Sequence, residues 1–183
     1  MSIEQELRER LPEETVAFGP IGSRLHGLER EDSDYDFLAI TSDKKSRKQA
    51  IAGEFDIHFV SLSAFLERFF FKPSFPEICL LSSGKLQVLK EEYAPLLGSL
   101  RMGYLSAYKT FQNYSDHTEK LLSKCLEKDD SKKADKALQV IVRNSLLSEK
   151  LLREKQGFSP VFSAEEKKRY FQMLQKEKAA RGL

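Results

Sequence analysis

Between Gly22 and Ile40 the chain sets polar residues at spacings that suit one kind of chemistry. Gly22-Ser23-Arg24-Leu25-His26-Gly27 reads as a Gly-Ser turn entering a helix. Backbone N–H groups in such a turn can meet phosphate oxygens. Glycine matters at position 22 because a side chain would block close approach of the backbone to a ligand. Ser33-Asp34-Tyr35-Asp36-Phe37-Leu38-Ala39-Ile40 then reads as a strand that opens with two acids. Residues two apart in a strand share a face and lie roughly 6.6 Å apart, so Asp34 and Asp36 are expected to aim two carboxylates the same way. Carboxylate pairs suit Mg²⁺, which takes oxygen ligands and shares its shell with substrate phosphates. Together these residues imply a metal–nucleoside triphosphate site.

The elements that must hold this stretch are legible around it. Ile3, Leu7 and Leu11 recur every four residues behind a Ser2–Gln5 capping box, which predicts a first helix ended by Pro12. Thr15–Ile21 reads as the first strand, expected to be short or bent at Gly19-Pro20 because proline cannot donate to a sheet ladder. Asp34–Thr41 is the second strand, with Tyr35, Phe37 and Ala39 on one face and Asp36, Leu38 and Ile40 on the other. Residues 42–52, with Lys44, Lys45, Arg47 and Lys48, read as a loop or a short exposed helix whose basic cluster could touch phosphate. Phe55–Val60 is the third strand. From Ser61 the period turns helical, with Ser61 or Ser63 as cap and Leu62, Phe65, Leu66 and Phe69 on one face. The run Phe69-Phe70-Phe71 is expected to be largely buried. A short helix begins at Glu77, whose carboxylate suits a helix N-terminus. Leu86–Leu89 reads as an edge strand.

The ordered set Gly22-Ser23, Asp34-x-Asp36 and a later strand acid resembles the signature of the DNA polymerase β-like nucleotidyltransferases. The string GSRLHGLEREDSDYDF is most similar to their small bacterial and phage branch, the RlaP-like, RNA-ligase-associated group. The likeness spans about residues 14–90. It implies an α/β (α+β) fold: a nucleotidyltransferase palm with a small mixed sheet and flanking helices, over residues 1–90, and a helical C-terminal region, 91–183, packed beside it. It implies that Asp34, Asp36 and Asp56 are the catalytic, metal-holding carboxylates for Mg²⁺ or Mn²⁺. Gly22 and Ser23 would hold the β- and γ-phosphates of a nucleoside triphosphate, and Arg24 would either neutralise phosphate charge or pair with an acid in the 29–36 loop. His26 reads as packing or positioning, and His58 as a packed strand histidine two residues from Asp56. The implied reaction moves a nucleoside monophosphate from NTP to an acceptor hydroxyl with release of pyrophosphate. RNA, a small metabolite or a protein side chain could be that acceptor. A nucleotidyltransferase of a toxin–antitoxin pair acting on a protein partner, and a non-catalytic nucleotide-binding module, are the alternatives. The complete acid set argues against the second.

The balance of the chain fits this reading. It has 183 residues, 40% of them hydrophobic, enough for one sizeable core or two small adjoining ones. No apolar run approaches a membrane span, MSIEQELRER lacks a secretory core, and the two cysteines, Cys79 and Cys125, read as buried free thiols, so a cytoplasmic protein is expected. Residues 1–102 carry 13 Lys and Arg against 17 Asp and Glu, net −4, whereas residues 103–183 carry 17 against 11, net +6. An acidic half joined to a basic half suits an enzyme that handles polyphosphate and, among acceptors, nucleic acid.

Beyond about residue 91 the pattern is helical throughout. Leu100–Leu126 is expected to bury Leu105, Tyr108, Phe111, Leu121, Leu122 and Leu126. Lys133–Lys155 is expected to bury Leu138, Ile141, Leu146, Leu151 and Leu152 and to stop at Gly157. Ser163 and Glu166 form a capping box before the last helix. Lys136, Gln139 and Arg143 lie on one helical stripe, open to solvent or to the nucleotide.

Overall fold

The protein is described here by a computed structural model, which places residues 3–30, 33–42, 47–51, 55–100 and 103–183. It forms two compact units, Met1–Arg101 and Met102–Leu183.

The first unit is α+β. Five strands, β1 (Thr15–Pro20), β2 (Tyr35–Thr41), β3 (Arg47–Ile51), β4 (Phe55–Ser61) and β5 (Gln87–Val88), form one mixed sheet in the order β3-β4-β2-β1-β5. β1 runs antiparallel to both β2 and β5, β3 is antiparallel to β4, and β2 and β4 are parallel. Alternation gives the sheet its core face. Phe37 and Ala39 of β2 and Phe55, Ile57 and Phe59 of β4 are buried together with Phe18 and with Leu7 of α1 (Ile3–Arg10). The predicted helix period at Leu7 thus supplies the residue that covers this face, and Leu11 packs at its edge. Ser2 lies outside the described residues.

Residues 47–51 form a strand where a loop or exposed helix was expected. Pairing of its backbone with β4 decides this, because ladder bonds to a neighbouring strand override a local pattern rich in charge. Lys44 and Lys45 lie outside the described residues.

β1 is not shortened by Gly19-Pro20. It pairs with β2 through Pro20↔Phe37, and its irregularity sits at the other end, between Thr15 and Ala17. Pro20 is tolerated because β5 pairs only with Ala17 and Phe18, short of the proline. Gly19 serves close packing instead: a Cβ there would lie 2.5 Å from Leu80 Cδ1 and 3.0 Å from the Lys85 carbonyl oxygen.

Three further helices complete the unit, two between β4 and β5 and one after β5. Ser61 caps α3 (Leu62–Phe71), its hydroxyl accepting from the Ala64 N–H at 3.2 Å. α3 buries Phe65 and Phe69, but Phe70 and Phe71 are 65% and 80% exposed, against expectation. Three consecutive helical residues point 100° apart, so one face can bury only the first. α4 (Phe75–Ser83) starts with Glu77 accepting from the Ser74 N–H at 3.2 Å and ends at Gly84, φ 71°. Glu77 is also 3.5 Å from Arg68 of α3, so it is a capping and pairing acid. After a 3₁₀ turn at 91–93, α5 (Ala94–Ser99) closes the unit.

The second unit is helical: α6 (Tyr104–Glu127) and α7 (Ser131–Glu154) pack along each other, and α8 (Ala164–Arg181) packs on α7. The buried stripe of α6 is Ala107, Phe111, Thr118, Leu122 and Cys125, while Leu105, Leu121 and Leu126 are exposed. Leu122 lies on the buried stripe, whereas its neighbour Leu121 points about 100° away from it. Leu138, Leu146 and Leu151 of α7 are buried as expected, but Leu152 is exposed and Ile141 is only half-buried. α7 ends at Glu154, with Lys155 at φ 52°, rather than at Gly157. The Ser163–Glu166 capping box is present, and Glu166 also accepts from the Lys150 ammonium at 2.9 Å. Both cysteines are free and buried. Among the described residues no helix is long and apolar enough to cross a membrane.

Candidate active site

Parallel pairing of β2 with β4 in the register Asp36↔Asp56 sets two carboxylate residues directly beside one another. Each is the second residue of its strand, so both lie at the same end of the sheet, where its two parallel strands begin. Neighbouring strands are about 4.8 Å apart, and residues in register share a face. That face is opposite the aromatic core, as the burial of Phe37, Phe55 and Ile57 shows. Asp36 and Asp56 are both half-buried. His58 continues the face, its Nε2 4.0 Å from Asp56 Oδ1.

Asp34 is placed differently. It precedes β2, whose first residue is Tyr35, and it is exposed. Strand alternation, which would pair it with Asp36, begins just after it. Arg24 holds this segment: its Nε donates to the Asp34 carbonyl oxygen at 3.2 Å and its Nη2 to that of Ser33 at 2.9 Å. The guanidinium also stacks on Tyr35, 3.5 Å from the ring centroid. Two main-chain carbonyls of the segment before β2 are thus partners of Arg24, while Glu31 and Asp32, two acids of the 29–36 loop, lie outside the described residues. A planar fork with a cationic face suits this double task.

The Gly-Ser turn opens α2 (Gly22–His26). Ile21, its N-cap, offers no side-chain acceptor to the first turn, and its own N–H donates to the Asp36 carbonyl oxygen at 2.9 Å. Gly22 has φ 65°, and a Cβ on it would stand 2.8 Å from Asp36 Oδ2. Glycine is thus required twice, for the left-handed backbone and for the closeness of the carboxylate. Ser23 follows in the same turn, its carbonyl accepting from Leu28 N–H at 2.9 Å. Gly27, at φ 69°, ends α2. His26 is buried beside Phe75, ring centroids 6.0 Å apart, which makes it a packing residue.

Lys85 is a residue of this neighbourhood that the sequence does not announce. Its Nζ donates to the carbonyl oxygens of Arg24 and Leu25, each at 3.1 Å. Nothing local signals a contact across 61 residues. In the helical unit, Gln139 donates to Asp135 Oδ2 at 2.8 Å, and Lys136 is exposed.

The donor set matches a hard divalent cation. Mg²⁺ is held through one or two carboxylates with substrate phosphates and water completing its shell. Asp36 and Asp56 form such a pair, and among the described residues no group of three or more His, Cys, Asp and Glu could hold a metal by itself. The half-exposed pair suits a cation that arrives with phosphate, rather than a closed structural site.

No protein-family model matches the chain, and no curated protein matches it. Among solved structures it is similar to a nucleotidyltransferase-like protein from Exiguobacterium sibiricum 255-15, at 14% identity and a TM-score of 0.33, over 98% of this chain and 74% of that one. A likeness at that level leaves the function to the geometry of the site.

Proposed function

We propose that the chain is a metal-dependent nucleotidyltransferase that moves a nucleoside monophosphate from NTP to an acceptor hydroxyl, releasing pyrophosphate. The observation that carries this reading is the register pair Asp36↔Asp56 with Gly22 lying against Asp36. It joins a carboxylate pair to a Gly-Ser turn within one small unit, as the resemblance of GSRLHGLEREDSDYDF to the DNA polymerase β-like, RlaP-like group leads one to expect. Asp36 and Asp56, together with Asp34 from the segment before β2, would hold Mg²⁺ or Mn²⁺, and the cation would supply charge stabilisation at the reacting phosphate.

The rest falls to the chain's own groups. Gly22 and Ser23 present backbone to the β- and γ-phosphates, and the missing side chain of Gly22 keeps both phosphate and Asp36 within reach. Arg24 fixes the segment before β2 and so the entry of Asp36 into its strand. Asp56, next to His58, orients the acceptor hydroxyl and helps accept its proton. Positioning and electrostatics account for most of the rate in phosphoryl transfer, so this small set suffices. RNA ends, small molecules and protein side chains are the acceptor classes.

Incubation with each labelled NTP and Mg²⁺, alone and with total RNA or lysate, tests the reading. Label appearing in RNA, a small molecule or a protein, and absent with Asp36→Asn, is the expected result. Absence of Mg²⁺-dependent NTP binding by the folded protein would falsify it.

A further inference from the structure

α2 is five residues long, far below the roughly 12 residues at which an isolated helix becomes even marginal. It must be held by its surroundings, and the bonds that hold it are specific. At its start the Ile21 N–H meets the Asp36 carbonyl, and in its middle the Arg24 guanidinium meets the carbonyls of Ser33 and Asp34. At its end the Lys85 ammonium takes the carbonyls of Arg24 and Leu25, where a helix has acceptors to satisfy and negative dipole. Lys85 can reach them because its own main chain runs close over Gly19, where a Cβ would lie 3.0 Å from the Lys85 oxygen and 3.4 Å from Leu86 Cα.

We propose that Lys85 is a positioning residue for the Asp36 carboxylate: by holding the last carbonyls of α2 it seats Gly22 against Asp36. This rests on the reading of Asp36 as a metal-holding residue. The contact leaves little slack, since Asp36 Oδ2 stands 2.8 Å from where a Gly22 Cβ would be. A helix that drifts by a few tenths of an ångström changes the room in which that carboxylate settles. Lys85 is a long way from Asp36 in sequence and acts on it only through α2.

The test compares Lys85→Met, Lys85→Arg and Ser83→Ala with the wild type. Met keeps the stem but donates nothing, and Arg restores a cationic donor. Ser83 is the control: its hydroxyl donates to the Leu80 carbonyl at 2.8 Å and accepts from the Lys85 N–H at 3.0 Å, so its loss loosens the same turn without removing the ammonium. Two quantities are read, Mn²⁺ affinity by calorimetry and hydrogen exchange of the Ile21 amide without metal. Lys85→Met should weaken Mn²⁺ binding by about tenfold or more, the usual range for a residue that orients a metal-holding group. It should also speed Ile21 exchange by about tenfold, because the bond to Asp36 then opens more often. Lys85→Arg should recover most of both, and Ser83→Ala should lower the melting temperature while leaving Mn²⁺ affinity within about twofold. Folded Lys85→Met with wild-type affinity and exchange overturns the proposal, as does equal loss of affinity in Ser83→Ala at equal loss of stability. If Lys85→Met does not fold, Lys85→Gln, which keeps one donor, is read in the same two assays. A wild type that binds no Mn²⁺ overturns the metal reading itself, and the Ile21 exchange then supports or overturns the seating of α2 by Lys85.

Discussion

Gly22 lies against Asp36 so closely that a Cβ on the glycine would stand 2.8 Å from the carboxylate oxygen. Gly22→Ala should therefore do two separable kinds of damage. The left-handed backbone at φ 65° costs a non-glycine residue about 1–2 kcal/mol. The methyl must also push the Asp36 carboxylate aside. Gly84 isolates the first effect, since it has φ 71° but nothing within 4 Å of its absent Cβ. Urea unfolding should show similar losses for Gly22→Ala and Gly84→Ala, whereas Mn²⁺ affinity should fall only for Gly22→Ala. Equal affinities in the two variants would remove Gly22 from the site.

Asp34→Asn with Asp36→Asn should abolish the gain in NTP affinity that Mg²⁺ or Mn²⁺ provides, because the hard-oxygen charge is gone while the fold keeps its hydrogen bonds. Calorimetry with and without metal decides the matter. Metal-independent NTP binding of equal strength in wild type and double variant would leave these acids outside the site.

Asp56→Asn should separate binding from chemistry. If Asp56 serves the acceptor side, Mg²⁺–NTP affinity stays within a few-fold while transfer falls by about two orders of magnitude or more. Single-turnover rates against affinities distinguish this from a shared role with Asp36, its register partner, which would make both fall together.

Arg24→Lys should fail to replace arginine. Lysine keeps the charge but cannot span the carbonyls of Ser33 and Asp34 while stacking on Tyr35. The expected loss is about 1 kcal/mol in unfolding free energy, with faster amide exchange at the start of β2. Wild-type stability together with weaker NTP binding would instead assign Arg24 to phosphate.

Glu166 makes the stability of the helical unit depend on acid. Burial pushes its carboxyl up, but Lys150, the Ser163 N–H and Arg153 outweigh this and hold it below its ordinary 4.5. The folded value is thus depressed. Its stabilising contribution is present above about pH 4.5 and is lost as pH falls through the folded value. Glu166→Gln should cost about 1–3 kcal/mol at pH 7, and the difference from wild type should shrink as the pH is lowered from 4.5 towards 3 in thermal melts. A constant difference across that range would mean that the charge is not what stabilises the pair.

Much of the local structure was readable before the tertiary structure, because its signals span only two to four residues. The alternation of Tyr35–Ile40 and Phe55–Val60 separates the acids from the aromatic core face. Ser61 and the Ser163–Glu166 box mark helix starts where they occur, while α4 begins at Phe75, two residues ahead of the start expected at Glu77. A glycine before Ser23 and acids at 34, 36 and 56 indicate chemistry, since few other residue types offer close backbone approach or hard oxygen donors. The greasy run Phe69–Phe71 and the leucines of α6 misled, because hydrophobicity names what could be buried but not which side faces a neighbour.

Tertiary structure decided how these pieces meet. Parallel pairing of β2 with β4 puts Asp36 beside Asp56, and a slip of one residue would have sent them to opposite faces. Hairpin pairing with β4 also made 47–51 a strand, and side-chain contacts took the Arg24 fork to two carbonyls and brought Lys85 to the end of α2 across 61 residues. Such contacts depend on the summed packing of elements distant in the chain, and no residue in the strings themselves encodes the partner. The residues determine which groups are available for chemistry; their register and tethers determine which of them share a site.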